Sequence, residues 1–189
     1  MRQGSEMKVR LKDLPSRQTI ALGPEFVRAA LDGLPMRQAL ERPADDPDAG
    51  RADADIELYI EGTNVFARGS VGGWFEVACG RCVGPARIEF GDKVAVSYLP
   101  REQVPEDSDD GEVELTEDDL DLYPYDDQTI DLEPLLREQI ILAVPYAPLC
   151  KGDCKGLCPV CGADLNTTSC ACDRDVVDPR LAALKDIKL

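Results

Sequence analysis

The chain has 189 residues, eight cysteines, no histidine and a formal net charge of −16. A chain of this length can bury one respectable core and carry a small metal-held appendage. Its carboxylate excess argues against a protein that grips nucleic acid through bulk positive charge.

Residues 1–6 are expected to be a dispensable extension, with Met7 as the effective start. The opening MRQGSEMKVRLKDLP has no apolar signal-like segment, and no stretch approaches the roughly 18 consecutive apolar residues of a membrane span. The expected location is therefore the reducing cytoplasm, where thiols stay free for metal. Val9 and Leu11 predict a short first strand. Pro24 opens a helix in which Val27, Ala30, Leu31 and Leu34 fall at i, i+3, i+4 and i+7, a core-facing stripe that ends at Gly33 and Pro35. From Glu41 to Asp55 the chain reads as a polar, proline-bearing loop or linker.

The middle predicts antiparallel sheet. Ile56, Leu58 and Ile60 alternate with polar residues, Gly62 to Asn64 makes a turn, and Val65 to Val71 continues as a second strand before Gly72-Gly73 turns the chain. Trp74, the single tryptophan, is expected in the core. Beyond a knuckle at Cys79 to Cys82, Ile88, Phe90, Val94, Val96 and Tyr98 alternate along a longer strand with room for a bulge. Residues 105–127 hold twelve carboxylates and no lysine or arginine, leaving −4 for the rest of the chain. They read as a solvated, mobile loop, or alternatively as a docking strip for a basic partner assisted by Leu120, Leu122, Tyr123 and Tyr125. Ile130 then ends a short strand and Asp131 caps a helix with Pro134 in its first turn. Leu132, Leu135, Leu136, Ile140 and Ala143 form its buried stripe, and Pro145 stops it. A last short helix is predicted over 180–189 after Asp178-Pro179.

The cysteines carry the chemistry. They fall in four tight pairs: Cys79 and Cys82, Cys150 and Cys154, Cys158 and Cys161, Cys170 and Cys172. Zinc takes four thiolates in a tetrahedron, and each short loop supplies half a site at little closure cost. Cys158-Pro159-Val160-Cys161-Gly162 is the turn of a zinc knuckle, and Cys170 and Cys172 share one side of an extended segment. Local closure favours Cys158, Cys161, Cys170 and Cys172 as one site and Cys79, Cys82, Cys150 and Cys154 as another. The competing partition joins Cys150, Cys154, Cys158 and Cys161, leaving Cys79 and Cys82 with Cys170 and Cys172. Disulfides are disfavoured in the expected compartment. A redox CxxC would open a helix, whereas Cys79 and Cys82 sit in a glycine- and proline-rich turn between strands. Catalytic zinc normally keeps an open position and most often a histidine ligand.

The ordered run MKVRLKDLP, CGRC in a strand turn, IDLEPLLREQIILAVPYAP, CKGDCKGLCPVCGADLN and DPRLAALKDIKL resembles the YceD family, the large-ribosomal-RNA-accumulation proteins of bacteria and plastids. The resemblance spans nearly the whole chain from Met7 and is most specific at CKGLCPVCGADLN and IDLEPLLREQIILAVP. It implies a role in accumulation or maturation of large-subunit ribosomal RNA and no catalytic activity. It also implies two separable sites: Cys79, Cys82, Cys150 and Cys154 as the shared one, with Cys158, Cys161, Cys170 and Cys172 as the addition.

The resulting expectation is an α+β protein: an antiparallel β-sheet with two or three packed helices and a C-terminal zinc-binding element. Its organisation is an extension (1–6), a main domain (7–149) with the acidic loop (105–127), and a zinc-binding segment with a terminal helix (150–189) packed on the same domain. The expected cofactor is one or two structural Zn²⁺ ions. The expected partner is a ribosome-assembly protein or a large-subunit ribosomal RNA precursor, with no membrane and no small-molecule substrate. Arg81, Arg87, Lys151, Lys155 and Arg174, all close in sequence to the cysteines, are candidate contacts; they equally suit ordinary solubilising charge. The alternatives are a structural protein–protein adaptor without RNA contact, and a thiol-redox or metal enzyme.

Overall fold

The computed structural model describes residues 7–32, 34, 50–104 and 121–173. In chain order these form β1 (Lys8–Arg10), β2 (Arg17–Leu22), α1 (Pro24–Ala30), β3 (Gly50–Glu61), β4 (Asn64–Ala78), β5 (Pro85–Pro100), β6 (Leu122–Tyr125), β7 (Thr129–Asp131) and α2 (Glu133–Leu142). A five-stranded sheet has the order β2-β3-β4-β5-β6, and β1 and β7 form a separate two-stranded ladder. The first four strands of the large sheet are antiparallel, but β6 runs parallel to β5. The fold is therefore α+β as expected, with a mixed rather than wholly antiparallel sheet. Residues 1–6, most of the linker, residues 105–120, Arg174 and the helix expected over 180–189 lie outside the described residues.

One face of the sheet makes the core. Alternate residues such as Ile20, Ala54, Ile56, Val65, Phe75 and Val96 turn inward, because successive side chains of a strand point to opposite faces. Both helices cover that face: Phe26 and Val27 of α1 and Leu135, Leu136 and Ile140 of α2 belong to the same buried cluster. Arg137 ties the two helices together, its Nη1 donating to the Ala29 carbonyl at 2.7 Å while its guanidinium lies 6.0 Å from the centre of the Phe26 ring. The Asp131 carboxylate accepts the Glu133 N–H at 3.0 Å, so Asp131 does cap α2, although Leu132 occupies the cap position on the backbone.

Several expectations are corrected. Gly50–Asp55, expected in the linker, belong to β3. β2 has no counterpart in the sequence reading; its signal was the short alternation in RQTIAL, with Ile20 and Leu22 inside and Arg17, Thr19 and Ala21 outside. Leu11 leaves the strand for a 3₁₀ turn. Gly72-Gly73 is not a turn, because β4 runs through it without interruption. A Cβ on Gly73 would lie 2.2 Å from the Arg51 carbonyl oxygen, and one on Gly69 would lie 1.9 Å from that of Asp55. These glycines mark a close approach of β3 to β4. β4 and β5 pair in one unbroken register from Val65↔Tyr98 to Ala78↔Pro85, without a bulge.

Trp74 is not in the core. It alternates with the buried Phe75 and so lies half-buried on the opposite face, where the Arg87 guanidinium stacks 4.0 Å from its ring centre. The acidic stretch also divides. Residues 122–125 form β6, with Tyr125 buried and its hydroxyl donating to the Thr63 carbonyl at 2.7 Å. Tyr123 donates to Glu138 of α2. The apolar residues of that segment complete the sheet edge, where Pro124 is tolerated because an edge strand need not donate every N–H.

Among the described residues no helix is long and apolar enough to cross a membrane.

Candidate metal centre

The β4–β5 connection, Cys79 to Gly84, is a six-residue knuckle held by its own backbone. The Cys79 N–H donates to the Gly84 carbonyl at 2.8 Å and the Val83 N–H donates to the Cys79 carbonyl at 2.9 Å. Cys158 to Ala163 repeats both bonds: the Cys158 N–H reaches the Ala163 carbonyl at 2.8 Å and the Gly162 N–H reaches the Cys158 carbonyl at 2.9 Å. The residue after the second cysteine is left-handed in each, Val83 at φ 63° and Gly162 at φ 73°. One local geometry is thus built twice, and it presents two sulfurs on one side of a tight loop.

After α2 the chain returns to the first knuckle. The Gly80 N–H donates to the Pro148 carbonyl at 2.8 Å, the Leu157 N–H donates to the Arg81 carbonyl at 3.0 Å, and Arg81 Nη1 donates to the Cys154 carbonyl at 2.9 Å. These bonds bring Cys150 and Cys154 against Cys79 and Cys82. Cys79 and Cys154 are buried with Ala86, and Cys82 and Leu149 pack around them. The four sulfurs of this inner cluster lie within 4.8 Å of one another, and so do those of an outer cluster of Cys158, Cys161, Cys170 and Cys172. This is the first of the two partitions weighed from the sequence.

The separations suit a metal. With zinc–sulfur bonds of about 2.3 Å, the edge of a four-thiolate tetrahedron is about 3.8 Å. Cys79 Sγ and Cys154 Sγ are 3.8 Å apart, and Cys82 Sγ and Cys150 Sγ are 3.6 Å apart. A disulfide would require about 2.05 Å, and all eight cysteines are free. Four sulfurs around one point fill a tetrahedral shell, which is the closed arrangement of a structural zinc site.

The electrostatics of each cluster are asymmetric. Burial pushes the Cys79 thiol up, but hydrogen bonds with the backbone at Cys150, Arg81 and Cys82 more than offset this and hold it down to about 6. At Cys158 the backbone at Cys161 and Val160 does the same, to about 6 against the opposing effect of burial. Their neighbours move the other way. Cys150 is pushed up to about 12 by burial and by the adjacent thiols, and Cys172 to about 12 by Cys161 first and burial second. Crowded sulfurs cannot all ionise without a cation between them, so each cluster is a set of ligands whose last protons a metal would displace.

Four of the basic residues singled out from the sequence lie among the described residues, each with a contact inside the protein. Arg81 is directed at the Cys154 carbonyl. Arg87 stacks on Trp74 and lies 3.4 Å from the Glu89 carboxylate. Lys151 is 3.9 Å from Asp153. The Lys155 backbone donates to Asn166 Oδ1 at 3.0 Å. The sequence reading gave no role to Asn166 and Asp164, between Cys161 and Cys170; their significance lies in contacts that no local motif announces.

Fold and site together define a small α+β protein whose central hairpin shares a four-cysteine cluster with the segment following its second helix, and which carries another such cluster beyond. The chain belongs to the family described as large ribosomal RNA subunit accumulation protein YceD, which matches residues 67–188, a span that contains all eight cysteines. It is 32% identical over 153 residues to an uncharacterised protein of Mycobacterium tuberculosis, covering 81% of this chain and 69% of that protein. It is 42% identical over 64 residues to a chloroplast protein of Zea mays named large ribosomal RNA subunit accumulation protein YCED homolog 1, covering 33% of this chain and 22% of the maize protein. The uncharacterised Bacillus subtilis protein YlbN is 37% identical over 71 residues, covering 37% of this chain and 41% of that protein. No solved structure matches the chain.

Proposed function

We propose that the protein is a non-enzymatic, zinc-binding factor that supports accumulation and maturation of large-subunit ribosomal RNA during ribosome assembly in the cytoplasm. The observation that carries this reading is the pair of closed four-thiolate clusters in a chain of the YceD family. Four thiolates per metal leave no open coordination position for substrate, and the inner cluster supports a structural part because it fastens the β4–β5 hairpin to a segment 68 to 75 residues further along the chain. Cys79, Cys82, Cys150 and Cys154 would hold one zinc and Cys158, Cys161, Cys170 and Cys172 the other.

Contact with the assembling subunit through a basic protein, rather than directly through RNA, is favoured by charge. Each zinc held by four thiolates adds −2 to a count that treats cysteine as neutral, so two centres carry the chain from −16 to about −20. The side chains of Arg81, Arg87 and Lys151 are engaged within the protein and Lys155 is held through its backbone N–H, which suits structural roles as well as RNA contact.

Protein purified without chelator should carry close to two zinc ions per chain, with all-sulfur coordination by X-ray absorption. Crosslinking in cells, followed by identification of RNA and protein together, should recover large-subunit precursors with at least one basic assembly protein. A folded, metal-free protein with eight titratable thiols would overturn the zinc reading. Recovery of neither ribosomal RNA nor ribosomal protein, with precursor levels unchanged on depletion, would overturn the assembly reading.

A further inference from the structure

Asn166 lies within the Gly162–Ser169 loop that joins the two cysteine pairs of the outer cluster, yet its side chain is directed at the inner one. Its Nδ2 donates to Cys154 Sγ at 3.5 Å and to Asp164 Oδ1 at 2.7 Å, while its Oδ1 accepts the Lys155 N–H at 3.0 Å. The amide can sit only this way round: a backbone N–H only donates, so the oxygen must face Lys155 and the nitrogen the sulfur. Asp164 holds the arrangement from below, its Oδ1 also accepting the Asn166 backbone N–H at 2.9 Å.

The loop is docked as a unit. The Leu165 N–H donates to the Gly156 carbonyl at 3.0 Å, and Leu157 and Asp164 pair as an isolated bridge. Gly156 itself is left-handed at φ 73°, and a Cβ there would lie 2.9 Å from the Arg81 carbonyl oxygen. First knuckle, Gly156 and outer loop are therefore stacked in direct contact. The covalent ends of this loop are Cys161 and Cys170, both members of the outer cluster.

We propose that the outer centre is a clasp for the inner one: metal at Cys158, Cys161, Cys170 and Cys172 fixes the loop so that Asn166 stays hydrogen-bonded to the Cys154 thiolate, and the two metals are bound cooperatively. This rests on the reading of both clusters as zinc centres. An N–H donated to a coordinated thiolate takes up part of its charge and fixes the sulfur's orientation, as outer partners of metal ligands do. With the outer centre vacant, the loop loses the closure that holds its two ends together, and the inner thiolate loses its donor. Coupling of this kind is reciprocal, so loading the inner centre tightens the outer by the same factor. Asn166 is a positioning residue, acting on the metal through Cys154.

The test uses full-length protein loaded with cadmium, whose two NMR resonances are assigned through couplings to cysteine Hβ protons and followed during a challenge with excess EDTA. Asn166→Asp is isosteric, keeps the acceptor for Lys155 and replaces the donor shared by the Cys154 sulfur and Asp164 with a carboxylate oxygen. It is expected to shift the inner resonance and speed its loss about tenfold or more, the usual scale for losing a partner behind a ligand. Asn166→Ala should show a smaller acceleration in the same direction. Cys170→Ser with Cys172→Ser should accelerate inner loss to the level of Asn166→Ala, and adding Asn166→Ala to that pair should change nothing more, because both act by one route. Inner loss within about twofold of the parent in both Asn166→Asp and the cysteine pair would overturn the coupling. Parent protein that takes up no metal would instead overturn the zinc reading beneath it.

Discussion

Val83 occupies the left-handed position of the first knuckle at φ 63°, where the second knuckle places Gly162 at φ 73°. The hydrogen bonds around the two are the same, so exchanging the residues isolates the conformational cost. A non-glycine residue in this region costs about 1–3 kcal/mol, and a β-branched side chain belongs toward the upper end. Val83→Gly removes that strain, loses about 0.5–1 kcal/mol to the greater freedom of the unfolded chain, and gives up burial of a side chain that is 47% exposed, about 0.7 kcal/mol. The net is a stabilisation of about 1 kcal/mol, a midpoint higher by about 2–4 °C in a chain of this size. Gly162→Val is the converse. A Cβ at Gly162 meets nothing within 4 Å, so no clash contributes and the left-handed backbone alone should cost about 1–2 kcal/mol. Urea denaturation of the zinc-loaded protein at fixed free zinc, followed by the fluorescence of Trp74, measures both. Val83→Asn, which tolerates this conformation, should fall between parent and glycine. A Val83→Gly variant less stable than the parent, together with a neutral Gly162→Val, would refute the assignment of strain to this turn.

Cys79→Ser should release one metal and lower global stability by about 4 kcal/mol or more, since the inner cluster joins the sheet to the segment after α2; Cys158→Ser should release the other metal and leave the midpoint within about 2–4 °C. Metal content with thermal denaturation distinguishes them, and equal loss of both metals from either change would contradict the partition. Zinc affinity should rise with pH. Cys79 and Cys158, held at about 6, are ionised at neutral pH, whereas Cys150 and Cys172, pushed to about 12, keep their protons until metal displaces them. Acidification therefore opposes binding, most steeply once Cys79 and Cys158 protonate as well, and competition with a chromophoric chelator at about pH 6, 7 and 8 should show it. Deleting residues 105–120 removes nine carboxylates while sparing β6, and should reduce recovery of a basic protein partner from cells. Increased nonspecific RNA binding with partner recovery intact would make the segment a shield instead.

What the sequence by itself determined is local. A knuckle closes through hydrogen bonds between residues five or fewer apart, so paired cysteines followed by turn residues identify it without any tertiary information. The stripe at Leu132, Leu135, Leu136 and Ile140 specified α2, and the alternation of Ile56 and Leu58 specified β3, because burial periodicity follows directly from backbone geometry. The partition of the cysteines was favoured by loop-closure cost, but the meeting of Cys79 with Cys154, 75 positions away, depends on how α2 returns the chain to the β4–β5 turn. Only tertiary structure decided which face of β4 Trp74 occupies, since strand register assigns every side chain to one face or the other at once. It also decided that Gly73 sits under a neighbouring backbone rather than in a turn, that acidic flanks do not stop Tyr123 and Tyr125 from completing the sheet edge, and that Asn166 bonds to a sulfur of the other cluster. Each of these depends on a neighbour distant in sequence, and composition carries no record of which neighbour that is.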